Sequence, residues 1–367
     1  MIEDLLIFNE AGTLLYNWHP SGKGTSTDDD LFSGFLTAIN TFAVFERGED
    51  IKSLKLKETQ IIFEKFEKYH QKLTFVVTTK NEEFIELLHS LIHKIMDDFT
   101  IEFSSILNRE FDGEISEFQK FDKNVEDILY SHGIDVLEDS IKKIQKLGIL
   151  KSIIFLEHKS GIIYYIYAKQ YINKDRLSFL IPLIINSANL LYYNNLNEKL
   201  KWILLNTVRN ENLLVEKRDA ILIIRQYQLL ENYENQYLSL DFFRAKEKYI
   251  KKPKKLEEKF ESVKWDTKIK QVFLVDLLGK ILFSRIFDST YDCSNFIPET
   301  ISFLTASKKT SEEIYNRTLY NASIGGERIT TICLNLNNYA LILIGNVEDY
   351  NNFEVIQNLC FSIFKQF

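Results

Sequence analysis

Three stretches decide how this chain is read: DLLIFNEAGTLLYNW from Asp4 to Trp18, KSIIFLEHKSGIIYYIY from Lys151 to Tyr167, and KQVFLVDLLGKILFSRI from Lys270 to Ile286. Each is an apolar run, a short turn closing on glycine, and a second apolar run. A tight hairpin needs one position at positive φ, which glycine adopts at least cost. Gly12, Gly161 and Gly279 therefore mark three hairpin turns.

The same element order follows each hairpin. In the first block, strands near 2–8 and 13–18 precede a polar loop, which Thr27 or Asp28 closes as a helix cap with Asp28-Asp29-Asp30 at the positive helix end. Leu31, Phe32, Phe35, Leu36, Ile39, Phe42 and Ala43 recur at helical spacing. Strands are predicted at 51–57, 60–67 and 73–79. A helix over 82–98, with Leu87, Leu88, Leu91, Ile92 and Ile95 on one face, closes a ββαβββα unit, and more helix continues to about Tyr130. The second block starts with a helix over 136–146, followed by its hairpin, a helix over 175–195, strands at 200–207, 212–217 and 220–226, and helix over 229–249. The third has strands at 271–276 and 280–286, a helix over 296–306, strands at 312–319, 328–336 and 339–345 with a Gly325-Gly326 turn, and a helix over 351–366. Pro182 and Pro298 mark where the long helices of blocks two and three begin or bend.

The expected fold class is α/β (α+β), three consecutive domains, each an antiparallel five-stranded sheet flanked by helices. They cover 1–131, 132–250 and 263–367, with a linker at 251–262 that opens on the charged KKPKKLEEKF stretch (251–260). The 367 residues are 45% hydrophobic and 26% charged, enough to build two or three cores. A net charge of −7 without a basic face argues against nucleic acid as partner. The N-terminal MIEDLLIFNE lacks the regions of a signal peptide, and the most apolar run, 177–193, is too short and too polar to span a bilayer. The expectation is a soluble cytoplasmic protein with reduced cysteines, Cys333 and Cys360 in cores. The abundance of Ile, Asn, Lys, Phe and Tyr is read as the mark of an AT-rich genome.

The order ββαβββα, carried by Leu5–Tyr16, Ile153–Tyr167 and Val272–Ser284 with the helices that follow, resembles the longin domain. The helix ahead of the second hairpin resembles the roadblock variant. Three such domains in one chain resemble the tri-longin proteins, and the likeness extends over nearly the whole chain. That resemblance implies a small Ras- or Rab-like GTPase as partner, a second longin or roadblock chain or a second copy of this one, peripheral membrane association, and an archaeal origin as one that fits. It implies a scaffold or exchange-factor-like subunit with no catalytic side chain and no cofactor. A vesicle-trafficking adaptor or tether and a small-ligand sensor are the alternatives.

The chemistry-bearing motifs are sparse. His89 and His93 share a helix face, but Ser90 stands where the zinc-protease pattern needs glutamate, so a plain helical face accounts for them. Gly22-Lys23-Gly24-Thr25 resembles the end of a phosphate loop, but Asn17 replaces the required upstream glycine. Lys251, Lys252, Lys254 and Lys255 are diluted by Glu257 and Glu258. No nucleophile elbow and no Cys/His pair occurs, so no catalytic residue and no metal site is assigned. The 28 Phe and 18 Tyr are the more informative feature. The first long helix carries Phe32, Phe35, Phe42 and Phe45 on more than one side, which marks it as a candidate partner-binding surface.

Overall fold

The computed structural model describes residues 2–20, 26–67, 72–79, 85–109, 115–137, 150–169, 171–207, 211–228, 258, 261, 265, 269–289, 296–336 and 338–346. It is a mixed α/β structure with two antiparallel sheets, one in each of two compact units, Met1–Asp139 and Ser140–Phe367.

In the first unit the hairpin strands β1 (Ile2–Asn9) and β2 (Leu14–Trp18) join β3 (Ser53–Lys55), β4 (Gln60–Phe66) and β5 (Leu73–Thr79) in the order β2-β1-β5-β4-β3. Side chains alternate across a strand. Leu6 and Phe8 of β1 therefore meet Leu36 of helix α1 (Ser26–Arg47) on one face, together with Leu14, Ile61, Phe63 and Val76. The other face packs on helix α2 (Ile85–Glu102), whose Phe99 meets Phe75 edge-on at 5.9 Å. With both faces covered, residues 5–8 form an unbroken buried run. Helices α3 (Ser104–Leu107) and α4 (Asp122–Ser131) follow, with a 3-10 turn at Phe118–Phe121 between them. Phe103, Phe118 and Phe121 ring Phe99 at 4.8–5.5 Å, and Tyr16 donates a hydrogen bond to Asp122 (2.8 Å). Burial and the Asp122 carboxylate push the Tyr16 phenol well above its ordinary pKa.

The second unit holds one ten-stranded sheet made of two like halves. β6 (Leu150–Glu157), β7 (Ile163–Ala168), β8 (Trp202–Thr207), β9 (Glu211–Lys217) and β10 (Ile221–Gln228) take the order β7-β6-β10-β9-β8. β11 (Ile269–Asp276), β12 (Ile281–Ile286), β13 (Leu319–Gly325), β14 (Thr330–Leu336) and β15 (Tyr339–Gly345) take β12-β11-β15-β14-β13. Both repeat the topology of the first unit. The halves join where β8 pairs β13 antiparallel. On one face, α5 (Lys174–Leu191) and α6 (Ile297–Tyr315) lie together over a single core that runs through both halves.

The joint is pinned by polar contacts that cross it. Asn206 donates to Asn321 at 3.0 Å with both side chains buried, and such a pair disfavours a slipped register. The fully buried Tyr192 hydroxyl, just beyond α5, donates to the Ile324 carbonyl (2.8 Å) and accepts from the Thr331 amide (3.1 Å). Glu211 pairs with Arg317 at 2.6 Å, and the buried Glu198 carboxylate receives Arg328 at 3.1 Å.

The hairpins and most strands fall within a few residues of the sequence reading. One strand does not: 312–319 was expected extended, yet Glu312–Tyr315 is the last turn of α6 and the strand begins at Leu319. The inward residues Ser307, Thr310 and Ser311 are small and polar, so the apolar periodicity of this helix fades halfway along it. Asn316 ends it in the left-handed conformation (φ 51°). The prolines also part company: Pro298 sits in the first turn of α6, whereas Pro182 lies inside α5. Blocks two and three share a sheet instead of standing apart. The helices expected over 229–249 and 351–366, most of the one over 136–146, nearly all of the 251–262 linker, Cys360, and the Thr27 and Asp28 side chains lie outside the described residues.

Candidate functional site

The three turn glycines occupy the left-handed region, with φ of 84° at Gly12, 75° at Gly161 and 85° at Gly279. Added side chains would be strained at each, and at Gly161 a Cβ would also lie 2.7 Å from the Ser178 carbonyl oxygen.

Helix α1 is apolar on two sides. Leu36 is buried against the sheet, with Phe32 partly buried beside it, and Ser33 points inward, donating to the Gly12 carbonyl (3.1 Å) and the Asp30 carbonyl (3.0 Å). That phase turns Leu31, Phe35, Phe42 and Phe45 outward, with exposures of 77%, 57%, 66% and 84%. Spacings of four, seven and three residues keep these four within an arc of about 80°. The arc therefore forms one apolar stripe. Of the four phenylalanines singled out in the sequence, three lie on it. Phe32 belongs to the core side, and Leu31 takes its place.

The two like helices calibrate this observation. On α6 the corresponding spacing places Pro298, Ser302, Thr305, Lys309 and Glu312 outward, as expected for a solvated helix. On α5 it places Phe179, Leu183 and Leu190 outward, all exposed. An outward apolar stripe is thus no requirement of the fold. It is a property of α1 and α5, and stripes of exposed large side chains are a usual mark of protein contact surfaces.

Beside α1 lies an open cleft of ≈ 320 Å³ over β4 and β5, lined by Leu36, Asn40, Val44, Phe63 and Lys65 among others. Asn40 donates to Asp50 (3.1 Å) and accepts from the Ile51 amide (2.9 Å), and Lys65 bonds Asp50, so these polar residues of the cleft wall are paired with one another. These bonds and the Lys65 ammonium hold the Asp50 carboxyl below its usual range.

A second polar cluster fixes the start of α1. His19 bridges Asp4 of β1 and Asp29 of α1 at 2.8 Å on each side, and Asn17 donates to Asp29 at 2.7 Å. Burial alone would lower the His19 pKa, but the bonds to Asp29 and Asp4 overcome it and raise it. The protonated ring's contribution is complete below the unfolded value of about 6.5 and is lost as the pH rises through the folded pKa. His19→Leu is therefore expected to destabilise the first unit by about 2 kcal/mol near pH 6, since hydrogen bonds between charged groups are involved. The penalty should shrink by on the order of 1 kcal/mol by pH 9. Urea titrations of both proteins at the two pH values check this, and an equal penalty at both would exclude a charged His19.

His89 and His93 share one carboxylate, Glu64, at 2.9 and 3.6 Å. Among the described residues no group of three or more His, Cys, Asp and Glu side chains is arranged to hold a metal ion. Gly22-Lys23-Gly24-Thr25 and Lys251–Lys255 lie outside the described residues. Cys333 is fully buried, which raises its thiol pKa far beyond the reactive range. No described helix is long and apolar enough to cross a membrane.

No family model matches this chain, and no curated protein matches it.

Sequence reasoning missed Leu31, the α5 stripe and the His19 cluster. The α5 residues were legible in principle, because Phe179, Leu183 and Leu190 repeat the α1 spacing. The His19 cluster was not, because its four residues, Asp4, Asn17, His19 and Asp29, are brought together from separate parts of the chain.

Proposed function

We propose that this chain is a non-catalytic interaction protein that binds a small Ras- or Rab-like GTPase, as a scaffold or an exchange-factor-like subunit. The observation that carries the reading is the outward stripe Leu31, Phe35, Phe42 and Phe45, set on a helix whose counterpart α6 is polar in the same place. The thrice-repeated five-stranded topology supports it through its resemblance to longin and roadblock domains, a fold-level warrant. Clustered aromatic side chains on a rigid helix supply contact area at low entropic cost and suit a hot spot. Exchange activity, where present, works by favouring one conformation of the GTPase, because binding shifts an equilibrium only by differential affinity for its states. The expected result is tighter binding to nucleotide-free or GDP-loaded GTPase than to the GTP-loaded form, read by titration calorimetry. Equal affinity for all three states reduces the chain to a passive scaffold, and no binding to any member of a GTPase panel sinks the proposal.

A further inference from the structure

Blocks one and two can be matched residue by residue through their own ladders. Asn9 and Glu157 each accept the turn amides of their hairpins. One residue earlier, Phe8 pairs with Thr74 and Leu156 with Leu222, and these pair in turn with Lys65 and Lys217. Lys65 of β4 and Lys217 of β9 therefore hold the same place in their blocks.

Their surroundings differ in charge. Phe63 donates to the Lys52 carbonyl, and two residues along the same register Asp50 stands opposite Lys65 and bonds it. In block two the residue opposite is another cation: the Lys217 amide donates to the Lys201 carbonyl (2.8 Å). The residue after the hairpin acceptor changes in the same sense, from Glu10, which accepts from Lys72 (3.1 Å), to His158. Glu67 is matched by Asp219, and Lys72 by Ala220. In block one the cleft beside α1 thus sets Lys65 and Lys72 against Glu10, Asp50 and Glu67. The same positions of block two set Lys201 and Lys217 against Asp219, with Lys199 close by.

Other carboxylates of block two are committed elsewhere. Glu157 accepts the Lys159 and Ser160 amides of its own turn, and Glu198 receives Arg328. Among the described residues the half-buried Lys217 ammonium meets only the side-chain oxygen of Asn189 on α5, at 3.4 Å, the long end of a hydrogen bond. Taking an ammonium partly out of water without a carboxylate is costly. Burial first, and then Lys199, push the Lys217 ammonium below its ordinary pKa against the pull of Asp219. Burial, Lys217 and Lys159 lower the His158 pKa against Glu157. Cations that depress one another leave a positive field at this end of β9, which an added anion would relieve.

We propose that Lys217, Lys199 and His158 bind a phosphate group, the anion that block two lacks where block one has Asp50. More than one negative charge is needed to answer this field, so a phosphate monoester dianion suits it better than a single carboxylate. The inference stands apart from the GTPase reading, because it uses no residue of α1.

Inorganic phosphate is titrated into the full chain near neutral pH at constant ionic strength, followed by the imidazole resonances of His158. Binding should saturate with a dissociation constant on the order of 1 mM. Bound phosphate should also move the His158 titration upward in pH. Lys217→Met should weaken binding at least about tenfold, as for a lost charge-assisted contact. Lys201→Asp, which restores the block-one arrangement, should do the same with the fold intact by circular dichroism. Lys65→Met, at the equivalent place in block one, should leave phosphate binding unchanged. Glycerol 3-phosphate and vesicles carrying phosphatidate separate a soluble ester from a lipid headgroup, and binding of either that is lost with Lys217→Met supports the site. Equal shifts with acetate, or no saturation below about 50 mM, overturns the proposal. Phosphate binding indifferent to both Lys217→Met and Lys201→Asp overturns it as well.

Discussion

Replacing Gly325 by alanine is expected to destabilise the ten-stranded unit by about 3 kcal/mol, the upper part of the range for an overpacked core. Gly325 is the ladder partner of Trp202 across the β8–β13 joint. A Cβ there would lie 2.0 Å from the indole ring, which is itself buried among Leu204, Tyr320 and Leu334. Neither side can yield cheaply, because the ring belongs to one half of the sheet and the glycine to the other. Covering a strand glycine with a cross-strand aromatic ring is a known sheet-stabilising device, and here it sits on the joint. Trp202→Leu in the Gly325→Ala background should recover part of the loss, since it vacates the space the methyl group needs. Urea denaturation monitored in the Ser140–Phe367 unit checks both. A change within about 0.5 kcal/mol, the size of an ordinary surface substitution, would mean that the joint does not close as described.

The second large effect concerns binding. Converting Phe35, Phe42 and Phe45 together to serine removes three exposed rings from one side of α1. Each substitution should alter stability by no more than about 0.5 kcal/mol, because each ring is mostly solvated. Affinity for the GTPase should fall at least about a hundredfold, as for loss of an aromatic hot spot. Phe32→Ser makes the contrast, since Phe32 packs against the core that contains Leu36 and Phe63. It should cost about 2 kcal/mol of stability, the scale of truncating a buried ring that is only partly enclosed. Two serine substitution sets on one helix, one acting on binding and the other on folding, separate its two apolar sides.

How far the sequence could be read is clear from particular residues. Gly12, Gly161 and Gly279 announced three hairpins because positive φ is a local demand, written in one residue. The strand at 73–79 and the helix face of Leu87, Leu88, Leu91, Ile92 and Ile95 were legible because apolar periodicity is also local. The joint was not, because strand-edge pairing has no period. Trp202–Thr207 looks like an ordinary buried strand until its partner is known, and the partner, Leu319–Gly325, lies beyond the strand expected at 312–319. The phase of α1 was half legible. A helix with phenylalanines on two sides does not say which side faces the sheet, and Ser33 and Leu36 settle it only in three dimensions. Hence the sequence groups Phe32 with Phe35, Phe42 and Phe45 as partner-binding candidates and does not single out Leu31.

The most direct test of the central claim is affinity purification of the full chain from its own cell extract, beside the Phe35→Ser, Phe42→Ser, Phe45→Ser variant, with quantitative mass spectrometry of both. A small Ras- or Rab-like GTPase is expected to be enriched with the parent chain and lost with the folded variant. Identical sets of bound proteins from the two, or a set without any GTPase, would contradict it.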